Sequence, residues 1–164
     1  MHASIIERID DIPAADWNRV SGTAHPFLRH EFLAALEHHD CVGERYGWYP
    51  QHVVVHDADG MLAGAAPLYL KDNSYGEFVF DWSWADAWQR AGKRYYPKLV
   101  SAIPYTPVTG PRLLVRRGHP EPKALKRALA DFAVSCCHHE GFSTWHCNFV
   151  TEDDFAVLHE RAFL

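Results

Sequence analysis

Apolar and polar positions change period several times along the chain, and each change predicts an element. Ser4–Ile9 is a short β-like run ended by Asp10, Asp11 and Pro13. Ala14–Val20 predicts a turn or two of helix with Asp16 near its start. Phe27, Leu28, Phe32, Ala35, Leu36 and His39 recur at helical spacing, so Pro26–His39 reads as an amphipathic helix with proline in its first turn. Gln51–His56, the turn Asp57–Gly60 and Met61–Leu70 predict a hairpin, and Pro67 puts its second strand on an edge or at a bulge. Lys71–Gly76 is a second turn. Phe78, Phe80, Trp82 and Trp84 then alternate with Val79, Asp81 and Ser83, which predicts a strand with its aromatics in the core. A short helix follows from Ala85 to Gly92.

Lys98–Ile103 reads as a strand, Ile103–Pro111 as an ordered but irregular loop with three prolines, and Arg112–Arg116 as a short strand. Leu125, Leu129, Phe132, Ala133 and Cys136 form the stripe of a long helix that Gly141 ends. Thr144–Val150 predicts a buried strand. Thr151 with Glu152, Asp153 and Asp154 opens a last helix that points Phe155, Leu158 and Ala162 inward. The order predicts a mixed α/β layer fold: an antiparallel hairpin, then a late parallel strand–helix–strand unit, flanked by helices.

The bulk properties narrow the reading without redirecting it. With 164 residues, 48% of them hydrophobic and 23% charged, the chain suits a single domain spanning 1–164 with its own core. A formal charge of −5 argues against DNA or RNA bound through a broad phosphate-neutralising surface. Four cysteines, two of them the adjacent Cys136 and Cys137, make a poor disulfide framework and point to a reducing compartment. The start "MHASIIERIDDIP" lacks the profile of a signal peptide, and no apolar run approaches the ~20 residues of a membrane span. A soluble, cytoplasmic protein without stable membrane insertion is expected.

The blocks "HPFLRHEFLAALE", "PQHVVV", "GAAPLYLKDNSYGEFVFDWSWADAW", "RYYPKLVSAIPYTPVTGPRLLV" and "TWHCNFV" followed by "TEDD" carry a resemblance. Together they resemble the N-terminal half of a bacterial family described as FemAB-like, the predicted peptidoglycan biosynthesis/recognition N-acyltransferases of the GNAT-related superfamily. The resemblance spans essentially the whole chain. It implies a GNAT-like fold, a second GNAT-like half after position 164, and transfer of an aminoacyl or acyl group to an amine of a peptide or cell-wall precursor. Acyl-CoA or aminoacyl-tRNA would be the donor, and this chain the substrate-binding half. If the second half normally covers an apolar surface here, that surface is expected to self-associate. The chain departs from ordinary acetyltransferases in lacking a glycine-rich pyrophosphate loop. Only "RRGHPEP" precedes the long helix, with Arg116, Arg117 and Gly118 as the candidates to receive an anion at a helix N-terminus.

Amide formation needs a deprotonated amine held against the acyl donor, and one carboxylate can serve as base. Asp81 and Asp86 are the candidates, Glu77 the third, and the competing role for Asp81 is an anchor for the following turn. Lys71, Ser74 and Tyr75 in the polar turn, Ser83 beside Asp81, and Tyr105, Thr106 and Thr109 on the proline-stiffened loop are candidate substrate contacts. The conspicuous "CCHHE" at Cys136–Glu140 is not expected to hold zinc, because consecutive helical residues point about 100° apart. No metal site is expected, and no nucleophile elbow is present. The alternative is a non-catalytic ligand-recognition or interaction module with the same fold.

Overall fold

A computed structural model describes residues 1–22 and 24–161. Its strands are β1 (His2–Ile6), β2 (Trp48–Pro50), β3 (His52–His56), β4 (Leu62–Ala66), β5 (Tyr69–Lys71), β6 (Lys98–Ser101), β7 (Leu114–Val115) and β8 (Trp145–Cys147). The helices are α1 (Ala14–Ser21), α2 (His30–His38), α3 (Trp82–Arg90), α4 (Pro122–His139) and α5 (Glu152–His159). Two four-stranded sheets run β1-β3-β4-β7 and β2-β5-β6-β8. All pairings are antiparallel except β6 with β8, which is parallel. This is the expected mixed α/β architecture.

One hairpin links the two sheets. Trp48↔Lys71, Pro50↔Tyr69, Val53↔Ala66 and Val55↔Gly64 share a single register, and Gln51 N–H donates to Leu68 C=O between them. The hairpin bends at Pro67, which has no N–H for a ladder, so the strand expected over Met61–Leu70 passes from one sheet to the other there. A second long strand does the same with an excursion. β6 pairs with Tyr69 through Val100, and β7 pairs with Ala65 through Leu114. Four residues on one strand thus face fourteen on the other, and the surplus is the loop 102–111.

The hairpin valines explain the layering. Val53 and Val55 pack with Ala63, Ala66 and Leu99 against Leu125, Leu129, Ala130, Ala133 and Cys137 of α4. Val54 points the other way, with Leu62, Ala65 and Leu114, onto Trp17, Val20, Leu28 and Leu33 from the α1–α2 side. Both sheet faces are covered, so the strand reads as a continuous apolar run. Gly64 lets α4 approach, since a Cβ there would stand 3.2 Å from the Leu125 side chain.

Several expectations shift. The helix expected over Pro26–His39 divides at Arg29, which is extended, and α2 buries His30, Leu33 and Ala34. Cys137, not Cys136, lies in the core, and α5 buries Val157 and Leu158 while Phe155 stays exposed. Ala162 lies outside the described residues. The largest correction concerns 78–84. Phe78 has φ 58°, a left-handed conformation that ends extended pairing, and helix α3 begins at Trp82. Phe80, Trp82 and Trp84 are 74%, 57% and 66% exposed, so they are not core.

Candidate functional site

The reason for the inversion at 78–84 is Lys98. Its side chain is wholly buried where β6 lies between β5 and β8. An unpaired buried ammonium is prohibitive, so counter-charges must come inward. Glu77 and Asp81 supply them. Lys98 Nζ donates to Glu77 Oε2 at 2.9 Å, to Asp81 Oδ2 at 2.5 Å and to Ser74 Oγ at 3.1 Å. With both carboxylates turned in, Phe78 and Phe80 between them are turned out.

The cluster extends to neighbouring rings. The Tyr95 hydroxyl donates to Asp81 Oδ2 at 2.6 Å, and Tyr96 and Ser74 share a hydrogen bond of 2.7 Å. His146 of β8 stands with Nδ1 3.8 Å from Asp81 Oδ2, and Thr144 Oγ1 lies 3.1 Å from its Nε2. Burial opposes ionisation of Asp81, but hydrogen bonds from Lys98, Ser74 and Tyr95 outweigh it and hold its pKa below the ordinary value. Burial dominates at Glu77 and raises its pKa despite Lys98. Burial and the Lys98 charge lower His146 to about 4, so it is neutral at physiological pH. Among the described residues Glu77 Oε1 and Asp81 Oδ1 are buried acceptors with no donor. Glu77, Asp81 and His146 bring ligand atoms within 4.8 Å of one another, as a metal site does. Here the Lys98 ammonium supplies the positive charge instead.

Of the residues singled out in the sequence, Lys71, Ser74, Tyr75, Asp81 and Tyr105 gather at this end of the sheets. Tyr105 N–H donates to Gly76 C=O, and its hydroxyl donates to Cys41 C=O at 2.6 Å. Lys71 is fully buried, 4.1 Å above the Trp48 ring, donating to Asn73 Oδ1 and Tyr75 C=O, and burial lowers its pKa to about 8. Asp86 and Ser83 lie on the exposed side of α3 away from the cluster, and Asp86 pairs with Arg90 at 3.2 Å. Thr106 and Thr109 lie further along the loop, where Thr109 C=O meets His25 Nε2. Lys98, Tyr95 and His146 were not anticipated. The signal for Lys98 was available: a lone lysine before the apolar run "LVSAI".

Arg116, Arg117 and Gly118 lie elsewhere. They line a cavity of about 420 Å³ between α1, β7 and the start of α4, together with Arg19, His119 and Lys126. Arg116 is committed to Asp57 at 2.8 Å and Lys126 to Asp154 at 2.6 Å. Arg117 makes no ion pair among the described residues. Glu121 provides no side-chain cap for α4, which leaves first-turn N–H groups open to an anion. Lys98 pairs opposite Lys71, and Arg116 N–H donates to Ala63, eight residues along the same hairpin strand. Along that strand, which bends at Pro67 into the other sheet, eight residues at ~3.3 Å give an upper bound of about 26 Å on their separation.

The layered sheets, with their parallel β6–β8 pair, have a GNAT-like fold. It matches the apo crystal structure of an aminoglycoside antibiotic 6'-N-acetyltransferase from Acinetobacter haemolyticus at TM-score 0.52 and 10% identity, over 99% of this chain and 88% of that one. Residues 8–164 match the family described as FemAB-like, peptidoglycan biosynthesis/recognition, and the chain belongs to that family. No curated protein matches the sequence significantly. Among the described residues no helix is long and apolar enough to cross a membrane.

Proposed function

We propose that this chain is the substrate-binding half of an N-acyltransferase that moves an aminoacyl or acyl group onto an amine of a peptide or cell-wall precursor. One observation carries the reading: Glu77 Oε1 and Asp81 Oδ1, which have no donor among the described residues, are buried in the cluster that Lys98 holds together through the other oxygen of each carboxylate. Buried acceptors without donors are costly, and an amine or ammonium supplies several N–H groups at once. Asp81 holds the acceptor nitrogen, with neutral His146 beside it to stabilise the emerging positive charge. The cavity at Arg117 and Gly118 would take the phosphate of an acyl-CoA or aminoacyl-tRNA donor. The test incubates the chain, alone and within its complete reading frame, with acyl-CoA or charged tRNA and amine-bearing cell-wall peptides. The complete protein is expected to form an amide product that Asp81→Asn, by loosening the hold on the acceptor nitrogen, reduces by about 10²-fold. No amide product from either donor class refutes the reading.

A second reading, a ligand-recognition module without chemistry, draws on the closure of the same cluster. Glu77 is 1% and Asp81 4% exposed. Saturable peptide binding without turnover by the complete protein would favour it.

A further inference from the structure

The inversion at 78–84 leaves a surface as well as a cluster. Tyr75, Phe78, Phe80, Trp82 and Trp84 are between 48% and 74% exposed, and α3 buries none of its residues. At roughly 200 Å² per aromatic side chain these five expose about 600 Å² in total; Phe80 and Trp82 touch, with ring centroids 5.5 Å apart, while Trp82 and Trp84 point to different sides of α3. The acids that would make it negative are locked inside on Lys98. The charges left outside on 75–94 are Asp86, Arg90, Lys93 and Arg94, a net +2 on a chain whose total is −5.

We infer that this aromatic segment docks on the surface of an anionic phospholipid bilayer. Trp, Tyr and Phe flanked by Arg and Lys are the composition of segments that rest in the headgroup region. Charge complementarity sets the orientation, because the cationic segment is attracted to anionic headgroups that repel the rest of the chain. The docking is peripheral and needs no spanning helix.

The test is co-sedimentation of the chain with vesicles of phosphatidylglycerol mixed with phosphatidylcholine, against phosphatidylcholine alone, with tryptophan emission recorded. Binding to the anionic vesicles is expected, with a blue shift and loss on raising the salt. Phe80→Ala/Trp82→Ala/Trp84→Ala should abolish it. Replacing Arg90, Lys93 and Arg94 by Gln should weaken it about fivefold per charge while leaving emission in buffer unchanged. Circular dichroism of both variants confirms that they fold. The inference is overturned if the parent chain ignores anionic vesicles, if both variants bind as well as the parent, or if the chain binds but the protein of its complete reading frame does not, since a further part of the protein then covers these aromatics. It is overturned equally if sedimentation shows a dimer that the aromatic variant abolishes and no vesicle binding, since the partner is then a second copy. None of these readouts depends on acyl transfer.

Discussion

Replacing Lys98 by Met tests the account of the cluster most directly. The substitution keeps the length and apolar stem and removes one charge that two buried carboxylates share, at 2.9 and 2.5 Å. Breaking a buried ion pair from one side costs about 3–5 kcal/mol, a hundred- to several-thousand-fold in the folded ratio. The variant escapes part of that cost by taking up a proton. Two carboxyls sharing one desolvated site cannot both ionise, so at least one folded-state pKa rises above its ordinary value. The folded variant then binds more protons than its unfolded chain, and its stability falls as pH rises above the ordinary carboxyl range. One extra proton gives about 1.4 kcal/mol per pH unit, so the gap to the parent should widen by about 2–3 kcal/mol between pH 5.5 and 7.5. Urea denaturation at those pH values measures it. Adding Glu77→Gln and Asp81→Asn should remove the pH dependence. A gap below about 1 kcal/mol at pH 7.5, or one that does not change with pH, refutes the claim that Lys98 organises the cluster.

Three further outcomes follow from the same geometry. Lys71 titrates at about 8 folded against an ordinary 10.5, so the unfolded chain holds the extra proton between those values and stability should rise with pH across that window; Lys71→Met should lack that rise in a pH series of melts. Gly76 has φ 78° and a Cβ there would stand 2.8 Å from the Tyr105 ring, so Gly76→Ala should cost about 1–3 kcal/mol, whereas Gly118→Ala, with φ 79° and open space, should cost about 1 kcal/mol. Asp154 is fully buried and accepts from Arg112 N–H, Leu113 N–H and Lys126 Nζ, so Asp154→Ala should lower stability by about 3–5 kcal/mol in urea denaturation.

Much of the fold was legible because its periods were undisturbed. The hairpin valines, the α4 stripe and the Thr151 cap, whose hydroxyl accepts from Asp154 N–H, follow local rules that tertiary contacts reinforce. The bend at Pro67 was legible as a break in pairing, though its consequence, a strand shared by two sheets, was not. The alternation at 78–84 did separate aromatic from acidic residues, but periodicity alone does not say which set goes inside. That sign was decided by Lys98, seventeen residues from Asp81 in sequence. Burial of apolar rings is a preference of a few kcal/mol per side chain, while a buried unpaired ammonium costs several more. The stronger demand won, and α3 formed outside the core.

The same balance bears on where chemistry can occur. Asp81 is loaded by Lys98 and Tyr95 on one oxygen and, among the described residues, lacks a donor on the other, so it resembles a positioned anchor with one vacant acceptor more than a free base. Its lowered pKa points the same way, since a good base at neutral pH needs a pKa nearer 7. A proton leaving an amine held there would pass to water or to another group. The cation-lined cavity includes none of the cluster residues, so on the proposed reading a donor anchored there reaches the amine through its own length. Competition tests this: adenosine 3',5'-bisphosphate, the end of an acyl-CoA donor, should block donor binding and leave amine-peptide binding unchanged. Displacement of both by the same compound would mean that the two places act as one site.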